Sequence, residues 1–191
     1  MQFIMLHKSL QNFLPDKKLV RPIEFLIKMT LVYAAWRMFK FFAENYENFL
    51  WGGWEWVKNA DGNAIAWGTA QLLMAFGYNL TFYHRLITVD GSAGIYVGDL
   101  CLGIAPMVIF TGFILAYGNN TKNKYWFIPF GLLLIFIINV VRMTALVLVQ
   151  VNYSHAMFKL AHDWVYVVIT YGLIFALVIW WMEKLSDKKS V

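Results

Sequence analysis

The feature that most constrains this chain is the length of its uncharged apolar runs. Gly62 to His84 is one, Leu100 to Thr121 a second and Trp164 to Met182 a third, while Tyr125 to Phe158 is interrupted by a single formal charge, Arg142. A helix needs about 20 mostly apolar residues to cross a bilayer. Phe25 to Phe42 is a weaker candidate because it carries Lys28, Arg37 and Lys40. Of 191 residues, 60% are hydrophobic and 14% charged, whereas soluble domains are roughly 25% charged. That balance excludes an ordinary soluble domain and a disordered chain. The runs predict an all-α integral membrane protein, a single polytopic helical bundle over 1–191. The N-terminus shows no compact apolar run ending in a small-residue cleavage site, so no signal peptide is expected.

One stretch breaks the helical pattern. Residues 86–100 read LITVDGSAGIYVGDL, with β-formers on both sides of a Gly-rich turn. This predicts a short hairpin. Its open edges exclude it from the hydrocarbon core, so it belongs at the membrane surface, immediately before Cys101.

The few charges set the orientation. The net charge of +5 reads as a topology signal, not as affinity for nucleic acid, which is not expected as a partner. The stretch up to Lys28 has five basic and two acidic residues; Lys122, Lys124 and the tail after Glu183 are also basic. In contrast, Glu44 to Asp61 holds four acids and one Lys. The positive-inside rule puts the basic segments in the cytoplasm and the acidic ones outside. Five full spans would then separate two termini that both look cytoplasmic. The preferred solution has four spans, 22–43, 101–118, 125–150 and 164–182, with 62–84 interfacial or re-entrant. Five or six spans are the alternatives.

Three polar features converge at the outer face in that topology. Cys101 opens the second span. Arg142 lies in the outer half of the third, with Asn139 on the same helical face. His162 and Asp163 immediately precede the fourth. A lone Cys in an apolar chain is usually a packing residue, but a helix N-terminus favours its thiolate. An intramembrane Arg costs at least about 2.5–3.5 kcal/mol and is a functional candidate by default; the ordinary alternative is snorkelling to headgroups. His162 in a loop is usually inert, and His155 is an equal candidate by composition. Asp163 and Asn152 also suit helix caps. Together the residues fit nucleophilic catalysis: Cys101 attacks a carbonyl, His162 moves protons, and Arg142 stabilises negative charge. Asn139 orients Arg142 or the substrate. No cofactor is expected. One cysteine excludes a multi-cysteine zinc site, and His84, His155 and His162 are not spaced as paired ligands, so no metal is expected.

At these residues the chain resembles the exosortase/archaeosortase family. The similarity rests on Asp99-Leu100-Cys101-Leu102-Gly103-Ile104 opening a helix, Asn139-Val140-Val141-Arg142 inside one, and His162-Asp163-Trp164 opening the last. It covers about residues 62–182. Gln71 to Tyr78 is similar to the helix preceding the Cys motif in small bacterial members. Leu102 stands where many members have a small residue. The resemblance implies a membrane cysteine protease/transpeptidase with Cys101 as nucleophile, Arg142 as electrostatic stabiliser and His162 as base. It implies exported protein substrates with a C-terminal sorting signal and a transmembrane helix, processed at the outer face of a bacterial inner membrane. The acceptor nucleophile stays open. The second reading is a non-enzymatic membrane subunit or assembly factor in envelope or exopolysaccharide biogenesis. A transporter is weakened by the single intramembrane charge and the lack of an inverted repeat.

Overall fold

The computed structural model describes residues 20–45, 49–116, 122–153, 155–162 and 166–185. Helices α1 (Val20–Asn45) and α2 (Phe49–Ala75) open the chain. Strands β1 (Leu80–Tyr83), β2 (Leu86–Val89) and β3 (Ile95–Tyr96) follow, then a 3-10 turn at Asp99–Cys101. Helices α3 (Ile104–Ala116), α4 (Lys124–Asn152), α5 (His155–Leu160) and α6 (Tyr166–Trp180) complete it, and a π-helical turn at Trp181–Leu185 continues α6. Among the described residues, Asp99–Ala116 and Lys124–Asn152 are long and apolar enough to cross a membrane; Val168–Glu183 is apolar and shorter.

Residues 62–84 are not one unit, contrary to the expectation from their lack of charge. Helix α2 starts upstream, at Phe49, and stops at Ala75 for a local reason. Gly77 takes φ +85°, its N–H donates to Met74 O, and Tyr78 N–H donates to Leu73 O. That pair of bonds is a Schellman stop, which satisfies the last helical carbonyls through a left-handed glycine. The chain released there forms β1, so the expected hairpin is a three-stranded antiparallel sheet in the order β1-β2-β3. Its register pairs Leu80 with Val89, Tyr83 with Leu86, and Leu86 with Tyr96. Period-two alternation buries Ile87, Val89 and Ile95 and leaves Tyr83, Leu86 and Tyr96 exposed.

The interior divides into two apolar clusters. One joins the sheet to α2 and the last part of α4, through Ile65, Leu73, Ile87, Val97, Cys101, Met143 and Val147. The other lies between α3, α4 and α6, through Phe110, Ile114, Phe127, Ile135, Ile174 and Trp181. Glycines let the second cluster close: a Cβ on Gly131 would overlap the Phe110 ring, and one on Gly112 would overlap Val32. Close approach at small residues supplies the packing that holds helices together in lipid.

Helix α4 connects the two clusters. At 1.5 Å per residue, Arg142 lies about 27 Å along its axis from Lys124, close to one hydrocarbon thickness. Beyond that level α2 accompanies α4: Gly68 packs on Val140, and Asn152 Nδ2 donates to the Tyr78 hydroxyl at 3.4 Å.

Candidate active site

Cys101 belongs to the first of the two clusters. It is the last residue of the 3-10 turn, not the first of a helix: α3 begins only at Ile104. The expected helix-dipole assistance to a thiolate at a helix N-terminus therefore does not apply in that form. Instead the Cys101 N–H donates to Gly98 O at 2.8 Å, and Gly103, at φ +74°, redirects the chain into α3. Gly103 is required twice over. Its φ is left-handed, and a Cβ there would overlap Asn139 Nδ2.

His162 meets the cysteine from the other side. Its Nε2 is 3.7 Å from Cys101 Sγ, within hydrogen-bond reach for sulfur. Phe158 of α5 lies parallel to the imidazole, 6.0 Å between centroids and 19° between planes. The short helix α5 occupies a stretch expected to be a loop and places Phe158 one turn before His162. His155 opens α5, while its side chain, like all of Asp163, lies outside the described residues.

Asn139 and Arg142 approach from α4. Asn139 is 1% exposed; its Nδ2 donates to Ile135 O at 3.0 Å. The amide thus binds its own helix and not Arg142, contrary to one expectation. Its Oδ1 and the Arg142 Nε are buried with no hydrogen-bond partner among the described residues. One face of α4 therefore offers one unclaimed acceptor and one unclaimed donor. A peptide unit, with one N–H and one C=O, has the complementary pair.

These groups border a cavity of about 410 Å³. Gly103, Asn139, Arg142 and His162 line it, with Lys40 of α1 and Tyr171 of α6 across from them. Leu100 and Leu102 line it too, whereas Cys101 between them does not, and Cys101 is 9% exposed. The guanidinium charges of Arg142 and Arg85 act on the sulfur in this apolar setting.

A second polar group beside the cysteine escaped the sequence reading. Asp99 accepts from Arg85 Nη2 at 2.7 Å and from Lys58 Nζ at 3.2 Å. Lys58 also pairs with Glu55 at 2.6 Å. Burial works against the Lys58 ammonium, but its bonds to Glu55 and Asp99 raise its pKa above that of an ordinary lysine. The available signal was scarcity: in a chain this poor in charge, Lys58, Arg85 and Asp99 each needed a partner.

Asp61, one helical turn beyond Lys58, has no such bond. Its Oδ2 is buried without a partner among the described residues. Loss of solvation pushes its pKa up to about 6, against the lowering effect of Arg85. A raised carboxyl pKa means the folded state holds the proton more tightly than the unfolded one. Stability therefore falls as pH rises from about 4 to about 6, and the penalty is complete above that. Asp61→Asn is expected to raise the thermal midpoint by a few degrees at pH 7.5 and to leave it unchanged at pH 4. Equal shifts at both pH values, measured by thermal unfolding in detergent, would contradict this assignment.

Comparison with known families adds one match. The family described as transmembrane exosortase matches residues 62–182, well over half of the chain. No curated protein and no solved structure matches significantly. The matched region begins in α2 and includes the sheet, Cys101, Asn139, Arg142 and His162.

Proposed function

The chain belongs to the transmembrane exosortase family, and from that premise we propose that it is a membrane cysteine protease/transpeptidase. It cleaves C-terminal sorting signals of exported proteins at the outer face of a bacterial inner membrane. The observation that carries this reading is the Cys101 Sγ to His162 Nε2 contact of 3.7 Å at the edge of a cavity that Arg142 also lines.

The chemistry follows from those groups. His162 takes the thiol proton, and the Cys101 sulfur attacks the scissile carbonyl carbon. The carbonyl π electrons move to oxygen, and Arg142 stabilises that oxyanion. As the C–N bond breaks, His162 returns the proton to the leaving amine, and a thioester remains on Cys101. Water or an acceptor amine then attacks the thioester and restores the thiol.

In this reading α1, Asp99–Ala116, α4 and α6 span the bilayer. The sheet and the ends of α2 and α4 stand outside it, on the side of the acidic segment Glu44 to Asp61. The termini are cytoplasmic. The substrate is an exported protein anchored by its own transmembrane helix, presented laterally from membrane lipid.

One observation favours a second reading, a non-enzymatic membrane subunit or assembly factor. Cys101 belongs to a buried apolar cluster, as a packing cysteine would. A membrane-impermeant alkylating reagent distinguishes the two in intact cells. An outward-facing nucleophile is expected to be labelled, with the label lost in Cys101→Ala, whereas a packing cysteine stays unlabelled. A cytoplasmic reporter signal from a fusion at residue 60 would sink the four-span topology.

A further inference from the structure

A second arginine stands behind the cysteine and is tied to the chain that carries it. Arg85, at the β1–β2 turn, is 5% exposed. Its Nε donates to Val97 O at 2.8 Å, and Val97 N–H donates back to Arg85 O at 2.7 Å. Its Nη2 donates to Asp99 Oδ1 at 2.7 Å, and the guanidinium lies 5.0 Å from the Tyr96 ring centroid. The segment entering the 3-10 turn is thus fixed to one side chain at Val97 and Asp99. Lys58 holds the other oxygen of Asp99 at 3.2 Å. Gly62 makes the space: a Cβ there would collide with the Arg85 side chain.

We propose that Arg85 is a positioning residue for Cys101, holding the nucleophile's turn through Val97 and Asp99 and adding a positive charge to the field around that turn. This rests on the reading of Cys101 as nucleophile. Arg85 does not itself line the cavity and makes no hydrogen bond to the sulfur; it acts through Asp99, which does line the cavity, and through its field. Asp99 has a balancing role. It is the anion that offsets Arg85 and Lys58, so it limits how strongly those charges favour a thiolate.

The other charges near the sulfur are fixed in the comparison. His162 faces it from the segment after α5, and Arg142 acts on it from α4. Glu55 and Asp61 of α2 stand behind, one on Lys58 and the other in the field of Arg85. Tyr166 of α6 lies in the field of Arg142, while Lys40 and Glu44 of α1 line the cavity.

The sign of the charge gives a test that a purely structural clamp does not imitate. Full-length protein in detergent is alkylated with iodoacetamide across a range of pH, and the midpoint of the Cys101 rate is read for each variant. Arg85→Gln removes a positive charge and is expected to move the midpoint up by about one pH unit, slowing alkylation near neutrality about tenfold. Asp99→Asn removes the balancing anion and is expected to move the midpoint down. Arg85→Lys keeps the charge and returns the midpoint toward wild type. Unmoved midpoints, or shifts of Arg85→Gln and Asp99→Asn in the same direction, overturn the proposal. If Arg85→Gln does not accumulate, Asp99→Asn decides alone: a downward shift supports the proposal, and no shift or an upward one overturns it. The titration reads the sulfur without any processing assay. Failure of Cys101 as nucleophile would appear separately, as processing by a Cys101→Ala protein.

Discussion

Cys101→Ala is expected to abolish processing of the exported substrate, by at least about 10³-fold, with the protein still present in the membrane at its wild-type level. The substitution removes one sulfur from a cluster that keeps Ile65, Leu73, Val97 and Leu102. The fold therefore loses little, while the reaction loses the atom that attacks. His162→Ala is expected to match it, because the thiol then lacks the base 3.7 Å away. Arg142→Ala is expected to fall nearly as far, since a half-buried positive charge lining the cavity, set against a developing oxyanion, is worth several kcal/mol. Groups that act as one unit do not add. The Cys101→Ala/His162→Ala double variant should be no worse than either single one. The ratio of cleaved to uncleaved substrate, read by immunoblot beside the level of the enzyme, checks all four. Normal processing by Cys101→Ala would remove the enzymatic reading altogether.

Gly103→Ala is the second large effect, and it acts through the backbone. A residue with a Cβ at φ +74° costs roughly 1–2 kcal/mol in local strain. The added methyl would also overlap the Asn139 amide, and overpacking of that kind typically costs about 1–3 kcal/mol. Asn139 has little room to retreat, being 1% exposed and bonded to Ile135 O. The strain is relieved most directly by displacing the turn that carries Cys101, away from His162. Gly103→Ala should therefore lower the thermal midpoint and slow Cys101 alkylation together. Gly98→Ala is the matched control. Gly98 is extended, at φ −69°, and a Cβ there meets nothing within 4 Å. Should both variants behave alike, the proposed clash at Gly103 is wrong.

The sequence disclosed some of this directly and hid the rest for physical reasons. Helices α3, α4 and α6 were legible because uncharged apolar runs are long and rare by chance. Their neighbours were less so. The stop at Ala75 depends on a single glycine, Gly77, inside a run with no charge to mark a boundary. The first strand was missed because Leu80–Tyr83 lies in that same run and gains its identity only from pairing with β2. Cys101, Arg142 and His162 stood out because polar groups in apolar chains are costly and few. The local conformation of Cys101 did not, since Gly103 gives no sign in sequence of whether it continues a helix or turns the chain before one. Arg85 belongs to none of the sequence motifs. Its role emerges only when strand register brings it to Val97 and Asp99.

The burial of Cys101 also bears on redox chemistry. The chain has one cysteine, so an oxidised sulfur finds no internal partner with which to form a disulfide. In an oxidising compartment, an exposed thiol of this kind would be captured by other proteins' cysteines. A cysteine 9% exposed is closed to a folded oxidoreductase, whose own thiol must come within bonding distance. Burial of that kind holds back a small oxidant such as peroxide far less than it does a protein. Without a resolving cysteine, a sulfenic acid formed there waits for a diffusible thiol or proceeds to the irreversible sulfinic state. Burial thus protects the site against mixed disulfides, and leaves slow peroxide damage as the oxidative route by which it is lost.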